Sequence, residues 1–263
     1  MSVMPIPARN KKSGLLLWVA LTLTLPALLA GTGYADDSGD RGREVFEKYK
    51  DTVVTVRVVV GMSYGGTERE SEQEANATVI SADGLAVMAL SGIDPMQIAA
   101  GYRQEMEEMT SRVVSLHIIL ADGTEKEAEV VLRDKEQDIA FIRLKETPDA
   151  PLPYVTFDAP GHPKVLDEVV CILQYGRLAR RSHAAFIDRI EMVVEKPRLF
   201  YAIGEHRSRQ LVCSPAFTLA GEFVGIGVMR LANSSNDDMN DMMVIIVPAK
   251  QLQALVEQVP PRS

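Results

Sequence analysis

The chain has 263 residues, 46% of them hydrophobic and 24% charged. That is enough apolar sequence for one large or two small cored domains, and the balance is not that of a disordered chain. The formal net charge of −8 disfavours nucleic acid or an anionic lipid surface as the main partner.

The chain begins with Arg9, Lys11 and Lys12 ahead of an apolar run of 17 residues, Gly14 to Ala30, and then Gly33-Tyr34-Ala35. A basic head, an apolar middle and a small-residue exit make a secretory signal. Residues 1–35 are therefore expected to be cut off after Ala35, leaving an exported protein in the periplasm or outside the cell. The competing reading is a retained membrane anchor. The run is at the short limit for spanning and Pro26 interrupts it, so stable insertion is not expected after cleavage. Removing three basic residues and no acidic one takes the net charge to −11.

Residues 36–52 read as a polar spacer, Asp36 to Gly42, followed by a short helix from Arg43 to Tyr49. The β-branched run Val53 to Val60 predicts the first strand. Gly61 to Glu74 reads as a polar hairpin loop with Gly65-Gly66 at its tip. Strands follow at Ala75–Ser81 and Leu85–Leu90, separated by the turn Ala82-Asp83-Gly84. Near-helical spacing of Met96, Ile98, Tyr102, Met106 and Met109 predicts an amphipathic helix inserted near 95–112. Its methionine stripe is expected to pack on the body of the protein.

Strands resume at Val113–Leu120, Glu127–Leu132 and Ile139–Leu144. Residues 148–163, with five prolines, read as a crossing between two halves. The second set is Glu168–Leu173, Ala184–Val194, Leu199–Ile203, Leu211–Phe217, Phe223–Met229 and Met243–Val247. A closing helix covers Ala249 to Gln258. Many short strands with turn signals at close spacing, two helices at most and a mid-chain crossing describe an all-β protein. Periodicity alone does not separate two barrels from a sandwich.

Four segments in order carry a resemblance. Thr78-Val79-Ile80-Ser81-Ala82-Asp83-Gly84-Leu85-Ala86-Val87 is similar to a G-S-G-F-V-I-x-x-D-G-Y-I-V-T-N-N-H-V stretch. Leu120-Ala121-Asp122-Gly123, running on to Asp138-Ile139-Ala140-Phe141-Ile142-Arg143-Leu144, is similar to D-G-x…D-x-A-V-L-K. Val212 to Ile226 follows the outline of G-N-S-G-G-P-L and its G-x-V-I-G-I exit. Val244-Ile245-Ile246-Val247-Pro248-Ala249 is similar to G-F-A-I-P. Together they resemble the HtrA/Deg branch of the trypsin-like serine peptidases over most of Val53 to Val259. The resemblance implies a trypsin-like double six-stranded β-barrel, the first barrel at 53–147 and the second, with its closing helix, at 164–263. No sequence remains after that helix for the PDZ domain that many of these proteins carry.

The same resemblance implies a broken triad. Its histidine position falls on Ser91, its carboxylate on Asp138 and its nucleophilic serine on Val212. An isopropyl group cannot attack a carbonyl, and a serine hydroxyl is no base near neutral pH. Gln210 and Leu211 stand for the Gly-Asn of the nucleophile loop, and Cys213-Ser214 for its Gly-Gly. Side chains with a Cβ disfavour positive φ, so that loop is expected to be reshaped. Losing serine or histidine alone costs about 10⁶-fold in turnover, so useful peptide hydrolysis is not expected.

Cys213 or Ser214 could serve as a displaced nucleophile, one or two places late, if one of His117, His162, His183 or His206 supplied a base. Surface or structural roles are the default for all four. Cys171 and Cys213 form a disulfide candidate in an exported chain, with two buried thiols as the alternative. No zinc-ligand spacing and no phosphate-binding glycine loop is present, so no metal or cofactor is expected. Asn76-Ala77-Thr78 and Asn233-Ser234-Ser235 are glycosylation sequons, and the acidic stretch 236–241 reads as a solvated loop.

The leading expectation is an exported trypsin-fold pseudoprotease. It would act by binding a peptide or protein, or as a scaffold or regulatory partner of an active homologous protease. The alternatives are an active serine-type hydrolase with a rearranged site and a purely structural envelope protein.

Overall fold

A computed structural model describes residues 37–64, 67–94, 110–204, 209–231 and 242–262. The segment read as a secretory signal, Gly65-Gly66, residues 95–109 of the predicted inserted helix, His206, the Asn233 sequon and the acidic stretch lie outside the described residues; the end of that predicted helix, Thr110 to Arg112, is strand instead.

The chain builds two closed six-stranded antiparallel barrels. The first uses β1 (Val53–Tyr64), β2 (Thr67–Val79), β3 (Leu85–Ala89), β4 (Thr110–Ile119), β5 (Glu125–Asp134) and β6 (Ile139–Leu144), in the order β1-β2-β3-β6-β5-β4. The second uses β7 (Glu168–Gln174), β8 (His183–Val194), β9 (Phe200–Ile203), β10 (Pro215–Thr218), β11 (Phe223–Leu231) and β12 (Met242–Pro248). Its order is β7-β8-β9-β12-β11-β10, the same path as the first barrel. The double barrel expected from the motifs is the fold observed. Closure leaves no sheet edge along most of either barrel, which an open sandwich would not achieve.

Val56, Val58 and Val60 of β1 are fully buried while Arg57 and Val59 are half-covered, the alternation of a strand with one face on a core. β3 and β6 are buried at every position, because both faces are covered. Between them lie Met88, Leu90, Phe141 and Ile142, all without solvent exposure. In the second barrel Phe217 and Phe223 pack at 5.6 Å between ring centroids.

Helix α1 spans Asp37–Tyr49, longer than predicted. The stretch Asp37 to Gly42, read as spacer, is helical because Gly42 lets it lie against Ile187, whose Cδ1 is 2.8 Å from where a Cβ on residue 42 would sit. Tyr49 closes the helix by stacking on Phe217 at 4.3 Å and donating its hydroxyl to Gly221 O at 2.9 Å. Helix α2 spans Ala249–Val256 and buries Leu252 and Leu255. Beyond it Arg143 donates to Pro260 O at 2.8 Å, and Arg262 donates to Asp83 O and Leu144 O, fastening the tail across the first barrel.

Two further expectations are corrected. The predicted loop Gly61–Glu74 is an extension of β1 and β2, paired without a break from Val53↔Thr78 to Tyr64↔Thr67. Thr67 to Glu72 are exposed, so the arm shows no apolar alternation that sequence could report. The predicted strand Leu211–Phe217 begins only at Pro215; Leu211 to Ser214 form a turn. The barrels meet through side chains as well as packing. Thr55 Oγ1 donates across to Gln174 Oε1 at 2.6 Å, and His183 Nε2 lies 2.9 Å from Val53 O.

Candidate functional site

Asp138 sits at the start of β6, in the turn that leaves β5. Gln137 fixes that turn by donating its backbone N–H and its amide to the Asp134 carboxylate at 2.9 and 2.8 Å. Asp138 itself takes φ +55, a left-handed conformation that Asp tolerates better than most residues. Its carbonyl accepts the Leu90 N–H at 2.9 Å, which sets the 3₁₀ turn Leu90–Gly92 directly above it.

The Asp138 carboxylate is fully engaged. Oδ1 accepts the Ser91 backbone N–H at 2.7 Å. Oδ2 accepts the Ser91 hydroxyl at 2.8 Å and the Met229 backbone N–H at 3.1 Å. Met229 lies on β11, so this one carboxylate joins the first barrel to the second. Both Ser91 and Asp138 are 8% exposed. Burial pushes the Asp138 carboxyl above its ordinary value, opposed by the two Ser91 bonds, the Met229 bond and the nearby Arg230 charge.

The turn Leu211–Ser214 is packed onto Gly227 of β11. Cys213 N–H donates to Gly227 O at 2.8 Å, Gly227 N–H to Ser214 O at 2.9 Å, and Ser214 N–H to Leu211 O at 2.8 Å. A Cβ on residue 227 would sit 2.1 Å from Leu211 O, so only glycine admits this approach. Cys213 takes φ +66. The positive φ that a Cβ disfavours is thus kept at this position all the same. The three backbone bonds hold Cys213 in that conformation in spite of its side chain.

Cys213 is 2% exposed and its Sγ points at Ala89 O, 3.9 Å away. The sulfur also lies 2.7 Å from where a Cβ on Gly92 would stand, so the glycine after Ser91 makes room for it. Desolvation pushes the thiol up to about 12, so it carries a proton at neutral pH. Ser214 has no exposure and its Oγ accepts the Asn76 carboxamide at 3.3 Å. Asn76, the residue of the first sequon, is thereby committed to an internal contact. Cys171 and Cys213 are both free and buried; no disulfide joins them.

The structure thus brings Ser91 onto Asp138, and places Val212 half-buried on the turn whose next residue meets Gly92. Val212 bridges Gly227 and packs against the cores of both barrels. The described histidines are elsewhere: His117 faces Glu125 at 3.7 Å, His183 meets Val53 O, and His162 borders a surface hollow. Among the described residues no histidine bonds Asp138, Cys213 or Ser214. Nor do three His, Cys, Asp or Glu side chains cluster there as a metal site.

Sequence reasoning missed Met229 and Asn76. Met229 acts through its backbone N–H, which leaves no mark in residue identity; Asn76 stood out only as a sequon. No protein-family model matches the chain, and no curated protein matches it.

Proposed function

We propose that this chain is an exported, HtrA-like pseudoprotease: a trypsin-type double barrel that has lost peptide hydrolysis and works as a protein-binding scaffold or regulatory partner. The observation that carries the reading is the state of Asp138. A triad carboxylate orients an imidazole through one hydrogen bond. This carboxylate instead accepts Ser91 twice and Met229 once, with no imidazole among the described residues to receive or return a proton.

Val212 offers no nucleophile, and the nearest candidates to replace it, Cys213 and Ser214, are buried and neutral. The rearranged hydrolase therefore gains no support from the geometry. Along β11, the N–H and C=O of Gly227 are both taken by the 211–214 turn, and the Met229 N–H is taken by Asp138. An extended peptide would have to displace these bonds to add a strand there. This favours binding through outer surfaces over holding a peptide at the old reaction centre.

The reading is tested by offering purified protein unfolded polypeptide and fluorogenic peptide pools, alongside crosslinking and co-purification from its own host. No cleavage above buffer, together with a defined protein partner, is the expected result. Cleavage abolished by changing one residue of this chain would overturn it.

A further inference from the structure

The β7–β8 hairpin ends in the turn Tyr175–Ser182, and the turn carries a fully exposed Leu178 beside a 44% exposed Tyr175. A lone surface leucine is ordinary. This one has an unusual mount. Arg180 and Arg181 take φ +54 and +53 in succession, a conformation unfavourable for residues with a Cβ. Bonds from Arg180 N to Arg177 O at 2.9 Å and from Tyr175 N to Ser182 O at 3.0 Å close the turn. Glu72 and Glu74 of β2 brace it from the first barrel, pairing with Arg177 and, through Glu74, with Arg181 at 2.6 Å. Arg180 alone of the three has no carboxylate partner among the described residues. The result is a stiff knob with an apolar tip and one free guanidinium.

The other end of the same hairpin, where Glu168 pairs with Arg189, borders a hollow of about 670 Å³. Leu166 and Leu219 supply its apolar wall, and Asp167, Glu168 and Glu222 set three carboxylates against the single Arg189. Leu166 is 67% exposed at φ +75, and its neighbour Val165 is 51% exposed. Seven residues of β7 separate knob from hollow, about 23 Å at the rise of a strand. One chain cannot bring its own two ends together.

We propose that copies of this chain associate head to tail, with Leu178 and Arg180 of one copy seated in the acidic, apolar-walled hollow of the next. The charges are complementary and each half presents apolar surface that a single copy leaves in water. Such a contact is heterologous, so it builds a ring if the rotation closes and a filament if it does not. An anionic membrane is the poorer occupant for the knob, because the chain is net −8 and one leucine is little to insert. The proposal is independent of the loss of catalysis.

The test is paired cysteine crosslinking on the full chain, carrying Leu178→Cys in one preparation and Ala220→Cys, on the hollow's rim, in another. The two native thiols are buried and stay silent. Mild oxidation of the mixture is expected to give a disulfide-linked pair that neither preparation gives alone. Sedimentation should show self-association weakened at least tenfold by Leu178→Asp or Arg180→Glu. Glu222→Arg should restore the Arg180→Glu protein. All these positions are exposed, and circular dichroism checks that the fold is unchanged. A chain that stays monomeric, Leu178→Cys pairing only with itself, or association indifferent to both substitutions would overturn the proposal. So would a monomer that binds phosphatidylserine vesicles through Leu178.

Discussion

Asp138 grips Ser91 at two points, its Oδ1 on the backbone N–H at 2.7 Å and its Oδ2 on the hydroxyl at 2.8 Å. A serine there completes a closed hydrogen-bonded unit with Met229 that ties the barrels together. The carboxylate is part of the framework.

Asp138→Asn should therefore destabilise the fold. A carboxamide has one acceptor oxygen where three donors converge, so at least one buried donor goes unmatched, at about 1–3 kcal/mol. Burial raises the Asp138 carboxyl above the free value of about 3.9. A carboxyl raised in the folded state contributes most below its unfolded value, and the contribution is lost as pH rises through the folded value. Asn does not titrate. The deficit of Asp138→Asn against the parent should widen as pH falls from 7 toward 4. Glu74, Asp83 and Glu168 are lowered, so their contributions are lost as pH falls, but equally in both proteins. Urea unfolding at the two pH values reads the difference, and a deficit that narrows in acid contradicts the account.

Both thiols should be silent in the native protein. Cys171 has no exposure and Cys213 has 2%, and desolvation holds both protonated. A thiol reagent at pH 8 should titrate neither of the 2 cysteines until denaturant is added, then both. Rapid native reaction of Cys213 would mean that the 211–214 turn opens.

Gly227→Ala should disturb that turn directly. The added methyl would meet Leu211 O at 2.1 Å and Leu211 Cγ at 2.5 Å, in backbone that cannot yield without breaking the Cys213 and Ser214 bonds. Forcing a methyl into such a contact costs about 1–3 kcal/mol. The loss should appear in urea unfolding together with faster reaction of Cys213. A neutral result would show that the turn is loosely held.

Strands that line a core were legible because Val53–Val60 and Ile139–Leu144 are apolar runs bounded by turn residues. The outer arm of β1 and β2 was not, since its β2 half, exposed from Thr67 to Glu72, looks like loop. The first turn of α1 was hidden by its Asp and Gly content, although Gly42 is what lets it pack. Ser91 and Asp138 were singled out together from motif spacing, and the structure hydrogen-bonds them, although no spacing foretold that bond. The Cys213 conformation was not legible: three backbone hydrogen bonds outweigh a local preference that sequence reports more plainly than it reports contacts.

The central claim of the proposed function is that none of Ser91, Val212, Cys213 and Ser214 is placed to attack a carbonyl, and a fluorophosphonate probe addresses it directly. Intact mass after incubation of the purified native chain should be unchanged, since Val212 has no hydroxyl and Ser91 is bonded to a carboxylate with no imidazole beside it among the described residues. Stoichiometric labelling of one residue would contradict the account.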